Sequence, residues 1–422
     1  MGLIAGRTQH DRVPVTRRAY ARRRIAAGIA VIATVAAGIY IPVALLAPLD
    51  APTSREVPWI ESIARPAQLL VTPDGGSSAI GAVGFDGLLA QSGSTEPVPI
   101  ASISKVITAL VVLEAKPLQA DEEGPILTFD ADDVALYDKY LKVQGTVEPM
   151  RPGLEMTERE ALEVVLISSA NNYAEAVAEW AFGSGPAFVA AASKWIDSHG
   201  LVSTTIVEPT GMSPDNVSSL VDLVRLGELA LEDPVVSSIV SSSSATVPFI
   251  GKMENTNELL GIGGVDGIKT GTLAEAGSCL LFSTDYVVGT ATITVIGVVV
   301  GAANRDAADA AVTALLAGVP SGFHEVTLAV AGQEFGSLTT VWDDRARALA
   351  TETARVVVWS DDAISAQIKL IEVVQAKSGD PAGEVEFMVD GREVAVPLAF
   401  DDGLGEPGPW WRVTRPLSQI GR

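Results

Sequence analysis

The sequence predicts an α+β protein in which helices cover an antiparallel sheet, with a small all-β domain after it and a membrane helix before it. Three observations lead to this fold class. An uncharged apolar run follows an arginine cluster, the middle of the chain has helical periodicity and then successive strands, and alternating strand patterns fill the last quarter. With 422 residues, 48% of them hydrophobic, the chain is long enough for two folded units.

The first element is a basic segment that leads into the apolar run. Residues 1–24 carry seven arginines against one aspartate, whereas residues 25–49 carry no charged side chain. About 25 such residues can cross roughly 30 Å of hydrocarbon, so we expect a transmembrane anchor at 25–49. The arginines predict a cytoplasmic segment at 1–24 and an extracytoplasmic remainder. A cleavable signal peptide is the alternative, although the run exceeds a usual signal core and no clean Ala-x-Ala precedes Ser54.

Composition restricts the partners and the chemistry. The formal net charge of −23 makes nucleic acid a poor candidate partner. A single cysteine, Cys279, permits neither an intrachain disulfide nor a thiolate metal site, and in an exported protein it is expected to be buried and inert. Only three histidines are present, so most histidine-based catalytic and metal sites are not available. We expect no metal and no cofactor.

The remaining elements follow from periodicity and turn residues. Residues 50–66 are expected to form a linker, 67–320 the first folded domain and 321–422 a β-rich domain. Thr157 with Glu160 has the pattern of a capping box, and the Ser-rich run 237–244 is interpreted as a loop. In the first domain the patterns predict strands at 68–72 and 79–84, helices from 101 and from 157, helices at 173–180 and 221–231, strands at 265–270, 278–283 and 291–300, and a helix at 305–316.

Two features characterise the second domain. Alternating apolar residues at 385–389 continue through Asp390-Gly391 into a second alternating run, which is a strong hairpin signal. Near the end of the chain stands Trp410-Trp411-Arg412. We interpret these aromatic residues as closing the small β core, with a membrane-interface or wall contact as the alternative.

With histidine and cysteine scarce, a serine and a lysine remain as nucleophile and base. Ser102-Ile103-Ser104-Lys105 is the only Ser-x-x-Lys of the chain and opens a predicted helix. Positions three apart share a helix face, and the helix N-terminus adds positive potential at Ser102. Lys105 can act as a base near neutral pH only if burial or a nearby cation lowers its pKa. Taken alone, the pair also fits an ordinary helix start with a surface lysine.

Two further segments also have ordinary explanations when taken singly. Ser169-Ala170-Asn171 lies between two predicted helices, where serine and asparagine commonly act as caps. Lys269-Thr270-Gly271 lies inside a predicted strand. A glycine there indicates either a bulge or a close approach to the backbone, for example by a peptide bound along the sheet edge.

Together, in this order and in these elements, the three motifs resemble those of the penicillin-interacting serine acyl-transfer enzymes. Within that group, residues 99–108, 169–172 and 264–271 are similar to the D-alanyl-D-alanine carboxypeptidases, the low-molecular-mass penicillin-binding proteins. The similarity extends over about 68–318 and includes the segment 208–212. It implies a penicillin-binding/β-lactamase-like transpeptidase fold for that part of the chain.

The resemblance implies roles residue by residue. Ser102 would attack the carbonyl between two terminal D-alanines of a peptidoglycan stem peptide, with Lys105 as general base and Ser169 as proton relay. The main-chain N–H groups of Ser102 and Thr272 would form an oxyanion hole. β-Lactam antibiotics would be covalent inhibitors. The implied substrate-binding residues are Asn171, Lys269, Thr270, Gly271 and Thr272; the sequence departs from the usual pattern at Asn172, where an acid is common, and at Thr272, where many members have histidine.

Three other functions remain open at this point. A serine β-lactamase would need a glutamate that positions water, and Glu208 lies at a suitable place, but the following Gly211-Met212-Ser213 fits the carboxypeptidase pattern. A DD-endopeptidase acting on cross-links would share every catalytic residue. An inactive wall-binding protein is disfavoured because all the catalytic positions are intact.

Overall fold

The computed structural model describes residues 17–60, 68–73 and 75–415. Residues 1–16 of the basic segment and 61–66 of the expected linker lie outside that range. The helices within it are α1 Arg17–Leu46, α2 Ser104–Ala115, α3 Ala131–Lys142, α4 Glu158–Glu163, α5 Asn171–Phe182, α6 Gly185–Ser198, α7 Leu220–Glu232, α8 Pro234–Val240, α9 Arg305–Gly322 and α10 Pro409–Thr414.

The strands, in chain order, are β1 Thr53–Glu56, β2 Ser77–Ala82, β3 Ala90–Ser92, β4 Val98–Pro99, β5 Ile126–Phe129, β6 Leu154–Thr157, β7 Val217–Ser218, β8 Ser244–Val247, β9 Gly251–Glu254, β10 Val265–Leu273, β11 Gly277–Val288, β12 Ala291–Ala302, β13 Phe323–Ala329, β14 Glu334–Thr339, β15 Arg345–Ala350, β16 Ala354–Trp359, β17 Ile364–Leu370, β18 Pro381–Val389 and β19 Arg392–Phe400.

A five-stranded antiparallel sheet forms the centre of the first domain, in the order β10-β11-β12-β2-β3. Because side chains alternate along a strand, the sheet has two apolar faces. Leu281 and Ile296 pack into the core shared with α2, α5 and α7. Phe282 and Val295 pack on the opposite face, against α9. The predicted arrangement of helices covering an antiparallel sheet is confirmed.

The C-terminal part is a second β unit with its own core. Its main sheet has the order β1-β14-β15-β19-β18-β17, and β13 pairs with β16. The expected hairpin is present, with Val389 paired to Arg392 across Asp390-Gly391. Phe323 and Trp359 pack edge-on at 4.6 Å, and Phe323 also contacts Phe85 of the first domain. The two units therefore share an aromatic contact where α9 ends.

The capping box at the start of α4 is present as expected. Thr157 Oγ1 accepts from Glu160 N at 3.1 Å, and Thr157 N donates to Glu160 Oε2 at 2.9 Å. These reciprocal bonds satisfy two backbone donors that the helix itself leaves without partners. They fix the helix that leads into the Ser169 turn.

Three local expectations differ from the structure. Residues 68–72 form no strand, and 237–240 lie in helix α8 rather than in a loop. Asp233 accepts from the N–H groups of Val235 and Val236 at 2.9 Å, so an N-cap followed by proline starts this helix. Within the expected linker, Thr53–Glu56 is the strand β1, which pairs with the otherwise open edge of β14.

Helix α1 includes most of the predicted anchor. It ends at Leu46 and, within the described part of the chain, is the one helix long and apolar enough to cross a membrane by length and composition. Only 6% of its most apolar stretch is buried against the protein. A membrane anchor and a signal sequence share these properties.

The buried carboxyl of Glu158 should make the stability of the fold depend on pH. Its side chain is fully buried, and neither carboxylate oxygen has a hydrogen-bond partner among the described residues. Burial raises the pKa of Glu158 from 4.5 to about 7, while the charge of Lys116 acts in the opposite direction. The folded state thus loses stability relative to the unfolded chain as pH rises from about 4.5 to about 7.

We therefore expect Glu158→Gln to raise the free energy of unfolding by about 1–3 kcal/mol at pH 8 and by much less near pH 5. Thermal unfolding of the detergent-solubilised chain at both pH values measures this. Glu155→Gln, at an exposed position of β6, is the matched control. An equal gain at both pH values, or none at pH 8, would contradict the assignment.

Candidate active site

Ser102 lies in a 3₁₀ turn, Ala101–Ile103, that leads directly into α2. Ala101 adopts a left-handed backbone conformation with φ of 46°, which is uncommon for a residue with a side chain. Ser104 Oγ donates to Ala101 O at 2.8 Å, and Asn216 Nδ2 donates to Ser104 Oγ at 3.1 Å. These bonds hold the turn so that the partly exposed Ser102 hydroxyl lies at the start of the helix.

Lys105 extends from the first turn of α2 and is fully buried. Its Nζ lies 3.0 Å from Ser102 Oγ, 2.6 Å from Asn171 Oδ1 and 2.6 Å from the carbonyl oxygen of Thr210. A neutral amine has two N–H donors and one lone pair. The two carbonyl-type oxygens accept from those donors, which leaves the lone pair for the Ser102 hydroxyl proton.

The electrostatics favour that neutral form. Burial lowers the pKa of Lys105 from 10.5 to about 7, and the negative charge of Glu208 opposes part of this effect. A substantial fraction of the amine is therefore unprotonated near neutral pH. A base hydrogen-bonded to a hydroxyl is the arrangement that activates a serine nucleophile.

Ser169 and Asn171 come from the break between two helical segments. A π-helical turn, Val164–Ser168, ends at Ser169, which has left-handed φ and ψ of 66° and 27°. Asn171 begins α5, and its N donates to Thr146 O at 2.8 Å. A Cβ at Gly145 would lie 2.5 Å from Asn171 Nδ2, so a larger residue there would displace this amide.

The segment 208–213 closes the other side of Lys105. The Glu208 carboxylate accepts from the N–H groups of Thr210, Gly211 and Ser213 and from Thr210 Oγ1, at 2.7–3.2 Å. These bonds turn the Thr210 carbonyl toward the lysine. Gly211 has φ of 82°, and a Cβ there would lie 2.0 Å from Ala101 O, so only glycine lets this loop pack on the Ser102 turn.

Strand β10 carries Lys269, Thr270, Gly271 and Thr272 and forms one edge of the central sheet. Among the described residues it pairs with β11 on one side and with no strand on the other. A Cβ at Gly271 would lie 3.0 Å from Ser102 N, so this edge runs directly beside the Ser102 turn. An extended peptide can pair with such an edge next to the hydroxyl.

Lys269 is the second buried lysine of the site. It is 1% exposed, and its Nζ donates to Thr270 O at 3.3 Å. Burial lowers the pKa of Lys269 well below its usual value, and the charges of Lys105 and Arg305 lower it further. A bound anion would offset this cost, so the site favours a ligand with a negative charge near Lys269.

The structure thus brings Ser102, Lys105 and Asn171 into one hydrogen-bonded cluster. Gly271 packs against the same turn, whereas the Ser169 side chain has no hydrogen bond to Ser102 or Lys105 within the described part of the chain. Sequence reasoning missed Thr210 as a partner of Lys105. A main-chain carbonyl leaves no side-chain signature, and only the family-like segment 208–212 pointed to this loop.

Other reactive groups lie outside this chemistry. Cys279 is 2% exposed, and burial raises the pKa of its thiol to about 11, so it stays protonated. Glu208, considered as a water-positioning base, has its carboxylate occupied by the loop donors. Among residues 17–60, 68–73 and 75–415, no group of three or more His, Cys, Asp or Glu side chains could hold a metal ion.

Comparisons with known proteins agree with this geometry. A family model described as D-alanyl-D-alanine carboxypeptidase matches residues 86–304, just over half of the chain. The D-alanyl-D-alanine endopeptidases of Pseudomonas aeruginosa and Escherichia coli are 35% and 32% identical, each over 44% of this chain and 59% of the relative. The carboxypeptidase DacF of Bacillus subtilis is 29% identical over 54% of this chain and 58% of its own length. The chain thus spans less than two thirds of these relatives.

Solved structures show the fold. Penicillin binding protein 5 from Haemophilus influenzae has a TM-score of 0.57 at 22% identity, covering 80% of this chain and 100% of that one. PBP3 from Streptococcus pneumoniae has a TM-score of 0.59 at 22% identity, covering 79% of this chain and 99% of that one. The predicted penicillin-binding transpeptidase fold is confirmed.

Glu208 gives the site a testable pH dependence. Lys105 must be neutral to accept a proton, so acylation of Ser102 should be lost as pH falls through about 7. Glu208→Gln removes a charge that raises the pKa of Lys105 and replaces one acceptor of the loop by a donor. We expect the midpoint to move to lower pH and the maximal rate to fall about tenfold, measured with a fluorescent penicillin.

Glu228→Gln is the control for that measurement, because this glutamate pairs with Arg225 on α7 and its side chain is partly exposed. It should leave the pH profile unchanged. A Glu208→Gln profile with the wild-type midpoint would show that the glutamate does not act on Lys105 electrostatically.

Proposed function

The chain belongs to the D-alanyl-D-alanine carboxypeptidase family of serine peptidases, and we propose that it removes the terminal D-alanine from peptidoglycan stem peptides through an acyl-enzyme on Ser102. One observation carries this proposal. The buried amine of Lys105, with a pKa of about 7, is hydrogen-bonded to Ser102 beside the open edge of β10.

Acylation begins when neutral Lys105 takes the Ser102 hydroxyl proton. Ser102 Oγ then attacks the carbonyl carbon of the penultimate D-alanine, and the main-chain N–H groups of Ser102 and Thr272 stabilise the oxyanion, a contribution of about 3–4 kcal/mol per donor. The peptide C–N bond breaks, and the proton held by Lys105 passes through Ser169 to the departing D-alanine amine, which returns Lys105 to its neutral form. The product is an ester on Ser102.

Deacylation repeats this sequence with water as the nucleophile and Ser102 Oγ as the leaving group. Water attacks the ester carbonyl while Lys105 again accepts a proton, and the proton returns to Ser102 Oγ as the C–O bond breaks. The engagement of Glu208 with its own loop argues against a separate glutamate base for this step. A slowly hydrolysed β-lactam adduct is therefore expected, rather than the rapid turnover of a β-lactamase.

Substrate binding uses the strand and the second lysine. The stem peptide lies along β10, with Thr270 and Gly271 contributing main-chain contacts. The terminal carboxylate binds near Lys269 and the exposed Thr272 hydroxyl. Its negative charge stabilises the protonated form of the buried Lys269 amine. Asn171 holds the peptide from the opposite side while its Oδ1 keeps Lys105 in place.

A DD-endopeptidase activity on cross-links is the second candidate. Sequence similarity favours it, because the relatives at 35% and 32% identity are endopeptidases, whereas DacF, a carboxypeptidase, is 29% identical. The chemical steps are the same for both. Only the leaving group differs, being free D-alanine in one case and the side-chain amine of a neighbouring stem in the other.

The substrate also bears on the location of the enzyme. Peptidoglycan lies outside the cytoplasmic membrane, and the apolar part of α1 follows the arginines of its first two turns. We place 1–24 in the cytoplasm, 25–49 across the membrane as an uncleaved anchor, and the domains at 67–320 and 321–422 on the wall side.

Labelling with a fluorescent penicillin tests the nucleophile and the base. Wild-type protein should form a covalent adduct that Ser102→Ala abolishes. Lys105→Ala should slow labelling by about 100-fold or more with the fold intact by circular dichroism, because a general base contributes typically 10²–10⁴-fold. An adduct that survives Ser102→Ala, or near-normal labelling of Lys105→Ala, would refute the mechanism.

Product analysis separates the two peptidase activities. Purified protein is incubated with a pentapeptide-bearing muropeptide and, separately, with a cross-linked muropeptide dimer, with Ser102→Ala as the control. A carboxypeptidase releases free D-alanine from the first substrate and leaves the dimer intact. Conversion of the dimer to monomers without D-alanine release would assign the endopeptidase activity instead.

A further inference from the structure

Helix α10 packs against the C-terminal end of α1. Tyr40 Oη donates to Val413 O at 2.6 Å, and Arg412 Nη1 donates to the carbonyl oxygens of Leu45 and Ala47 at 3.2 and 3.0 Å. The last carbonyls of a helix have no partner inside it, and a cation there is favourable. Arg412, which is 8% exposed, therefore caps the anchor helix from a distant part of the chain.

The length of α1 gives the depth of this contact. Ile25 is the first residue after the arginine cluster, and from Ile25 to Leu45 the helix rises about 30 Å at 1.5 Å per residue. This equals the thickness of the hydrocarbon core. If the arginines lie at the inner boundary, the contact with Arg412 lies where α1 leaves the hydrocarbon on the outer side.

The two tryptophans of α10 have different environments. Trp411 packs edge-on against Trp342 at a centroid distance of 5.7 Å, which ties α10 to the turn between β14 and β15. Trp410 is 79% exposed and lies two residues before Arg412, within about one helical turn of the contact with α1. Exposed indoles at this depth are typical of the aromatic belt of membrane proteins.

We propose that Trp410 inserts into the outer headgroup layer of the bilayer that α1 crosses, so that α1 and α10 together hold the C-terminal β unit against the membrane. The proposal rests on the anchoring role of α1 proposed above. Its partner is the phospholipid bilayer at the level of the glycerol and headgroups. The sequence left two interpretations for Trp410-Trp411, packing on the β core and contact with the membrane interface or wall. In this proposal Trp411 packs on the β unit and Trp410 binds lipid.

Tryptophan quenching in proteoliposomes tests this with the full chain. The protein is reconstituted into phosphatidylcholine vesicles whose acyl chains carry bromine either near the headgroup or near the chain end. We expect headgroup-proximal bromine to quench the wild type more strongly than Trp410→Phe, with a smaller difference for deep bromine. Trp180→Phe, on α5 of the first domain, is the matched control and should leave the lipid quenching unchanged.

The outcomes are distinguishable. Vesicle-bound protein in which wild type and Trp410→Phe are quenched equally would overturn this inference and leave the anchor intact. Protein that fails to float with the vesicles would overturn the anchor and this inference together. A Trp410→Phe variant that loses sedimentation with purified peptidoglycan, without any change in lipid quenching, would assign the tryptophan to the wall. None of these results depends on penicillin labelling, which tests the catalytic proposal.

Discussion

The burial of one amine organises this molecule. Lys105 Nζ lies between the side-chain oxygen of Asn171 and the main-chain oxygen of Thr210, and its third neighbour is the Ser102 hydroxyl. Each neighbour comes from a different element: the start of α5, the loop 208–213 and the turn before α2. The helical layer packs on the central sheet, and these elements converge on the lysine.

The same burial explains the reactivity. A pKa of about 7 instead of 10.5 corresponds to protonation that is less favourable by about 5 kcal/mol, as an upper limit. The cost arises because the folded core around α2 buries the amine. The Glu208 charge recovers part of it, and its hydrogen bonds keep the Thr210 carbonyl in place. A single glutamate thus shapes both the loop and the titration of the base without touching Ser102.

Local sequence rules predicted the elements with explicit signals. The capping box at Thr157 and Glu160 and the turn at Asp390-Gly391 are examples, because each encodes its own hydrogen bonds. The strand β1 was missed, since its stability comes from the edge of β14, which is distant in sequence. Helix α8 was missed although Asp233-Pro234 is a start signal, because the serines that follow suggested a loop. The side chains of Ser102, Lys105 and Asn171 were found from motifs, but the Thr210 carbonyl becomes visible only once the chain is folded.

The protonation state of Lys105 is the central claim, and NMR titration of its side-chain nitrogen tests it most directly. Protein with nitrogen-labelled lysine is titrated across neutral pH, and the Lys105 signal is identified by its absence from Lys105→Met. The account predicts a midpoint near pH 7 for this signal. A midpoint near 10, as for an exposed lysine, would mean that Lys105 is a cation at neutral pH and that Ser102 is activated by another group.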